Sequence, residues 1–174
     1  MLKSMTKFHL ALWLMIGSIS ITIATDLPVG LASIQYFKHS SENLYTAGQP
    51  QADEFPAIAS AGIRHVINLR PPAETPELNE AALVTQQNMA YYNIPINGKG
   101  DLTRDNVNLL DRVLRNIGDD KILLHCSSSN RVGALMALRA AWLNGASIEE
   151  ALTEGSRHGL TKLRPTVMRI LSEQ

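Results

Sequence analysis

The sequence predicts an α/β sandwich with a mostly parallel central sheet flanked by helices, and three observations carry that prediction. Short apolar runs, RHVINLR, AYYNIPI and KILLHC, alternate with stretches of helical periodicity, which is the pattern of βα units. The 174 residues, 45% of them apolar, are enough to bury one sizeable core, so a single domain is expected after any leader. The segment ILLHCSSSNRVGALMALRAAWL places a buried strand over Ile122, Leu123 and Leu124, a tight polar loop, and an alanine- and leucine-rich helix over Val132 to Leu143.

The remaining elements follow in order. ENLYTAGQP reads as a short strand running into a turn at Gly48 and Pro50, and DEFPAIASAG as a helix capped by Gly62. RHVINLR is a strand. PPAETPELNEAALVTQQN then gives a loop and a helix, with Pro76 at the first helical position. AYYNIPI is the next strand and NGKGDL a turn-rich loop. Thr103 caps a helix through Leu114, on which Val107, Leu110, Val113 and Leu114 share one face. Ile148 to Arg157 and Pro165 to Leu171 are two closing helices, and Arg157 and His158 are expected at the surface where one of them ends.

Residues 1–32 read as a separate object. Lys3 and Lys7 precede an uncharged run from Phe8 to Thr25, an order of charge and apolarity that marks an export signal. Cleavage is expected after Ala32, with cleavage after Ala24 as the alternative, leaving a domain over 33–174. An uncleaved membrane anchor is the competing reading, because the run approaches the length of a membrane span. Either reading sends the domain out of the cytoplasm, to a periplasmic or extracellular place.

Composition narrows the chemistry. Sixteen basic and sixteen acidic residues balance, which argues against broad nucleic-acid binding. The single cysteine, Cys126, excludes an internal disulfide and a cysteine-rich metal site, and the five histidines show no paired spacing, so neither metal nor cofactor is expected. Cys126 ends an apolar strand and is followed by Ser127, Ser128, Ser129, Asn130 and then Arg131. Such polar residues are poor core material. Amides of the loop and the first turn of the helix favour a thiolate and bind anions, and Arg131 adds a planar, permanently charged fork suited to an oxyanion. Nucleophile and clamp thus arrive in one segment.

TAGQP, AGIRHVINLRPPAE, YYNIPI and HCSSSNRVGALMALRAAW occur in that order, and with them the chain resembles the protein-tyrosine-phosphatase-like family that includes the beta-lactamase-hydrolase-like phosphatases. The similarity runs from Asn43 to Val167. It implies a cysteine-phosphatase-like fold and hydrolysis of phosphate monoesters, phosphotyrosine among the candidates, on a phosphorylated protein or a small ester. Carried onto this chain, Cys126 is the nucleophile, Arg131 the clamp, and the loop from Ser127 to Asn130 the substrate cradle. This loop is one residue shorter than in the broad superfamily. It has Ser129 where relatives have glycine, and Val132 where many cysteine phosphatases have a serine or threonine.

A leaving alcohol needs a general acid. Asp101, in the glycine-flanked loop after YYNIPI, is the first candidate and Asp105 a weaker one; a cap on the following helix is the competing role for Asp101. Lys99 is either a pocket charge or a solvated side chain. His125 either orients the loop or is a core histidine, and Arg70 and Glu74 either border the crevice at a strand end or pair with each other. The loop spacing also resembles rhodanese-type sulfurtransferases, which carry a persulfide on cysteine, so sulfur transfer is the second reading. A catalytically weak anion-binding module is the third.

Overall fold

In the computed structural model, which describes residues 30–173, five short strands form one sheet. They are β1 (Lys38–Ser41), β2 (Leu44–Ala47), β3 (His65–Asn68), β4 (Ala90–Asn93) and β5 (Ile122–His125). Their spatial order is β1-β2-β5-β3-β4; β1 runs antiparallel to β2 and every other pairing is parallel. All four residues of β5 are buried, as a central parallel strand covered on both faces requires, and this is why ILLH reads as a continuous run rather than an alternation.

Six helices flank the sheet: α1 (Phe55–Ser60), α2 (Glu80–Gln86), α3 (Arg104–Ile117), α4 (Asn130–Asn144), α5 (Ile148–Arg157) and α6 (Arg164–Ser172). Successive strand residues point to opposite faces and so build two cores. Leu123 and Val66 pack with Phe55, Ile58 and Val84 under α1 and α2, while Leu124 and Ile67 pack with Leu110, Leu135 and Leu138 under α3 and α4. Most of α4 is buried, including Val132 through Leu138, which accounts for its richness in alanine and leucine.

The expected strands and helices are present with three adjustments. β1 was not anticipated, because KHSS carries no apolar alternation; it is an edge strand with one buried residue. Pro76 does not open α2. The chain from Pro72 to Glu74 forms a 3-10 turn, and α2 starts at Glu80 behind Asn79, whose side chain accepts the Ala82 N–H. The cap wins because it satisfies a helix-end donor that a proline at position 76 leaves open. Thr103 caps α3 as expected, accepting from the Asn106 N–H. The helix continues to Ile117, beyond the expected end at Leu114.

The leader falls outside the described residues apart from its last three, 30–32, where Leu31 is fully buried with Ile34 beside Phe55 and Ile58. Among the described residues no helix is long and apolar enough to cross a membrane.

What matters for the site is register. Ala47, Asn68 and Asn93, the last residues of β2, β3 and β4, align with or next to His125, the last of β5. The segments leaving these strands therefore emerge side by side along one edge of the sheet, where open α/β folds place their ligands. Gly48 and Gln49, Leu69 and Arg70, and Cys126 meet there.

Candidate active site

Cys126 is the first residue beyond β5 and is fully buried. Its N–H donates to the Ala47 carbonyl at 3.4 Å, which ties it to the end of β2. The loop from Ser127 to Ser129 then turns into α4. The first backbone bond of α4 runs from the Gly133 N–H to the Ser129 carbonyl, so the N–H groups at the start of the helix are left for a ligand beside the thiol.

Two glycines let the loop sit where it does. A Cβ on Gly48 would stand 2.9 Å from the Ser127 carbonyl oxygen, so the chain after β2 can press against the loop only without a side chain; Gly48 also bridges to Ser128. Ser129 stands at φ 62° and ψ −5°, a left-handed conformation that costs an L-residue about 1–2 kcal/mol. Its side chain is used in return. Oγ donates to the His158 carbonyl at 3.0 Å, and its Cβ lies against Gly159, where an added Cβ would come within 2.6 Å.

Arg131, in the first turn of α4, returns over the loop. Its Nη1 donates to Glu74 Oε1 at 2.6 Å and to the Ile96 carbonyl at 2.8 Å. Nη2 donates to Glu74 Oε2 at 2.8 Å and to Ser127 Oγ at 3.3 Å. Hydrogen bonding to Glu74 raises the pKa of this guanidinium above the ordinary arginine value, and the nearby Cys126 adds to that against the cost of burial. Glu74 thus grips one edge of the fork with both oxygens while the other side reaches toward Ser127 and the cysteine. Glu74 is in turn held by Arg70, through Nε at 2.9 Å to Oε2 and Nη2 at 3.0 Å to the Glu74 carbonyl. Hydrogen bonding to Arg131 pulls the Glu74 carboxyl down to about 2, against a cost of burial. It is a fixed anion and cannot serve as a proton donor.

On the other side of the cysteine lies a buried polar group. His125 donates from Nε2 to Glu80 Oε1 at 2.7 Å, and both side chains are almost completely enclosed. Oε2 of Glu80 accepts from Gln49 Nε2 and from Asn68 Nδ2, each at 2.9 Å. Burial alone raises the pKa of a carboxyl, but His125, Gln49 and Arg70 outweigh it and hold Glu80 below its ordinary value. His125 is therefore both a core histidine and a support of the strand end that carries Cys126.

The other predicted residues separate by what they touch. Ser127 is exposed beside Arg131. Ser129 and Asn130 turn their side chains into the protein: Asn130 Oδ1 accepts from Thr161 N at 2.9 Å and Leu163 N at 3.2 Å, fastening the loop to the chain before α6. Only their backbone is left to face a ligand. Asp101 closes the 3-10 turn Lys99–Asp101, five residues after Ile96, whose carbonyl accepts from Arg131. Its Oδ2 accepts the Asn97 N–H at 2.7 Å, and the cap of α3 is Thr103 instead. Asp105 is exposed in the first turn of α3, and Lys99 is exposed.

Arg70 and Glu74 both pair with each other and border the site. Arg157 is exposed as expected, but His158 is buried, with Nε2 on Glu154 at 2.8 Å, because its segment forms the back wall of the cysteine loop. Sequence reasoning passed over Glu80 and Gln49. Glu80 falls on the buried face of α2 together with Val84, one turn later, a position where a carboxylate signals a buried partner.

No protein-family model matches the chain. The beta-lactamase hydrolase-like protein of Xylella fastidiosa (strain Temecula1 / ATCC 700964) is 31% identical over 123 residues, 68% of this chain and 28% of the relative. That of Agrobacterium fabrum (strain C58 / ATCC 33970) is 27% identical over 124 residues, again 68% of this chain and 28% of the relative. The chain thus spans little more than a quarter of the curated relatives it matches. Among solved structures, the DUF442 phosphatase-type protein of Shewanella putrefaciens CN-32 superposes with a TM-score of 0.66 at 21% identity, over 83% of this chain and 95% of that one. TpbA of P. aeruginosa gives 0.59 at 16% identity, over 82% and 86%. By its fold the chain is a cysteine-phosphatase-like α/β sandwich, and over 123 of its residues it is similar in sequence to part of the beta-lactamase hydrolase-like proteins.

Proposed function

We propose that the chain is a cysteine-dependent phosphatase acting on phosphate monoesters, with Cys126 as nucleophile, Arg131 as clamp and Asp101 as general acid. The observation that carries this reading is the posture of Arg131. Glu74 holds one edge of its guanidinium, and the rest of the group is turned toward Ser127 and Cys126. A phosphoryl group seated over the thiol would take bonds from that side and from the N–H groups that open α4.

In the first step the sulfur of Cys126 attacks phosphorus in line. The S–P bond forms, the P–O bond to the alcohol breaks, and Asp101 gives its proton to the departing oxygen. In the second step Asp101, now a carboxylate, takes a proton from water, whose oxygen attacks the phosphocysteine. Inorganic phosphate leaves and the thiolate returns. For Asp101 to act, its carboxyl has to exchange the Asn97 N–H for the substrate, a local motion of the loop between Ile96 and Leu102. Phosphotyrosine is a candidate substrate, supported by the similarity to P. aeruginosa TpbA, which has been solved in complex with pTyr. The charge order of the N-terminal segment supports export.

The test is phosphate release from p-nitrophenyl phosphate over roughly pH 5 to 8, the range in which activated cysteines form thiolate, with Cys126→Ser beside the native chain. Activity lost in the variant is the expected result. A native, reduced protein without activity overturns the proposal; persulfide formed on Cys126 from thiosulfate would then identify a sulfurtransferase, the reading favoured by the four-residue spacing between Cys126 and Arg131.

A further inference from the structure

We infer that Gln49 is a positioning residue that joins the two polar groups flanking the cysteine, the Arg70–Glu74–Arg131 chain on one side and the Glu80–His125 pair on the other; the inference rests on the phosphatase reading. Its amide joins the Arg70 guanidinium directly to the Glu80 carboxylate; Asn68 also spans the two, but reaches Arg70 only at its backbone N–H, at 2.7 Å. Oε1 accepts from Arg70 Nη1 at 2.8 Å, and Nε2 donates to Glu80 Oε2 at 2.9 Å and to the Pro50 carbonyl at 3.2 Å.

The orientation of that amide is dictated by its partners. Rotated by half a turn, it would set a carbonyl against the Glu80 carboxylate and an NH2 against the Arg70 guanidinium, so both contacts reverse sign together. At neutral pH no other side chain of this length offers an acceptor at one atom and a donor at its neighbour. Glutamate keeps the acceptor and loses the donor, and methionine keeps the shape alone.

The consequences run outward in two directions. Arg70 spends Nη1 on Gln49 and Nε and Nη2 on Glu74, so Gln49 fixes the arginine that fixes the carboxylate that aims Arg131. Glu80 receives His125, Asn68 and Gln49, so the same amide supplies one of three donors that keep a buried carboxylate charged beneath the strand end of Cys126. Gln49 is itself placed by the neighbouring Gly48, which packs on the Ser127 carbonyl and bridges to Ser128. Gln49 contacts Arg70, Glu80 and the Pro50 carbonyl, and its effect on the site is transmitted through Arg70 to Glu74 and Arg131 and through Glu80 to His125. A site of this kind is only as exact as the groups that orient its clamp.

The experiment compares the full chain with Gln49→Met and Gln49→Glu. Tungstate affinity is read by calorimetry, kcat and KM with p-nitrophenyl phosphate, and folding by circular dichroism. Gln49→Met is expected to stay folded, to bind tungstate about tenfold more weakly, and to lose about tenfold or more in kcat/KM. Gln49→Glu carries the sharper signature. The new carboxyl faces the Glu80 carboxylate, which favours its protonated form, and the Arg70 guanidinium, which favours its ionised form; where it holds a proton it imitates the amide, donating to Glu80 and accepting from Arg70. Tungstate binding relative to the native chain should therefore weaken with rising pH, by about tenfold once the carboxyl is ionised, a dependence that mere loss of packing does not produce. Should Gln49→Met not fold, this pH dependence decides alone. Native tungstate affinity in a folded Gln49→Met variant, or a pH-independent Gln49→Glu variant, overturns the inference. If the native chain binds tungstate without turning over p-nitrophenyl phosphate, and Gln49→Met loses that binding, the positioning role stands and only the phosphatase reading falls.

Discussion

Glu74 holds Arg131 through both carboxylate oxygens, at 2.6 and 2.8 Å, across 57 residues of sequence. The pair connects the 3-10 turn after β3 to the first turn of α4 and sets the plane of the guanidinium over the cysteine loop. Glu74→Gln keeps one acceptor and removes the charge and the second oxygen. On the proposed phosphatase reading substrate binding and turnover both depend on that plane, so kcat/KM should fall about tenfold to a hundredfold, with KM rising and kcat falling. Unchanged steady-state constants in the folded variant would show that Arg131 aligns without its partner.

The same carboxylate gives a signature in acid. Its folded pKa, about 2, lies below the ordinary 4.5, so its ionised form contributes stability that is fully present above about pH 4.5 and is lost as pH falls through 2. Denaturant unfolding of the native chain and of Glu74→Gln should therefore differ by a constant amount near neutrality. The difference should shrink between pH 4.5 and 2. A gap that stays constant through that window would assign the effect of the substitution to packing. Glu74 is partly exposed, so salt should reduce the gap as well.

Ser129 and Gly159 form a matched pair: one carries a side chain in a left-handed loop position, and the other leaves room for it. Ser129→Ala keeps the backbone cost and loses the bond to the His158 carbonyl, and should destabilise by about 1 kcal/mol. Ser129→Gly loses the same bond but relieves about 1–2 kcal/mol of backbone cost, so it should be at least as stable as the native chain. Gly159→Ala, with φ +97° and a Cβ 2.6 Å from that of Ser129, should cost about 2 kcal/mol or more. Adding Ser129→Gly to Gly159→Ala should recover part of that loss, and a double-mutant cycle of unfolding free energies measures how much.

Much of the domain was legible in the sequence because its signals are local. RHVINLR, AYYNIPI and KILLHC announce buried strands, Thr103 and Gly62 announce helix ends, and Cys126 with Arg131 announce a tight loop between a strand and a helix. What was not legible depends on register. Gln49 leaves β2, Arg70 leaves β3 and Glu80 opens α2, and nothing in their own neighbourhoods says that they meet; they do so because Ala47, His125 and Asn68 end their strands side by side. β1 escaped notice because an edge strand has no need of apolar alternation. His158 read as a surface residue because Arg157 and Gly159 flank it, yet the loop it supports lies 29 residues earlier.

Leu31 is part of the packed domain. It is fully buried with Ile34 beside Phe55 and Ile58, although the sequence places it just before the expected cleavage after Ala32 and well after the alternative at Ala24. A domain starting at Ser33 lacks this side chain, while one starting at Thr25 keeps it. Burying a leucine is worth about 2 kcal/mol in transfer alone, and the cavity left by its loss adds to that. The shorter domain should therefore melt roughly 5 °C or more below the longer one, given a few degrees per kcal/mol at this size. Leu31→Ala in the longer domain should reproduce most of the difference, which separates the side chain from the other seven residues between Thr25 and Ala32. Equal melting temperatures for the two domains would mean that the contact between Leu31 and α1 adds nothing to the fold, and the first cleavage position would then carry no cost.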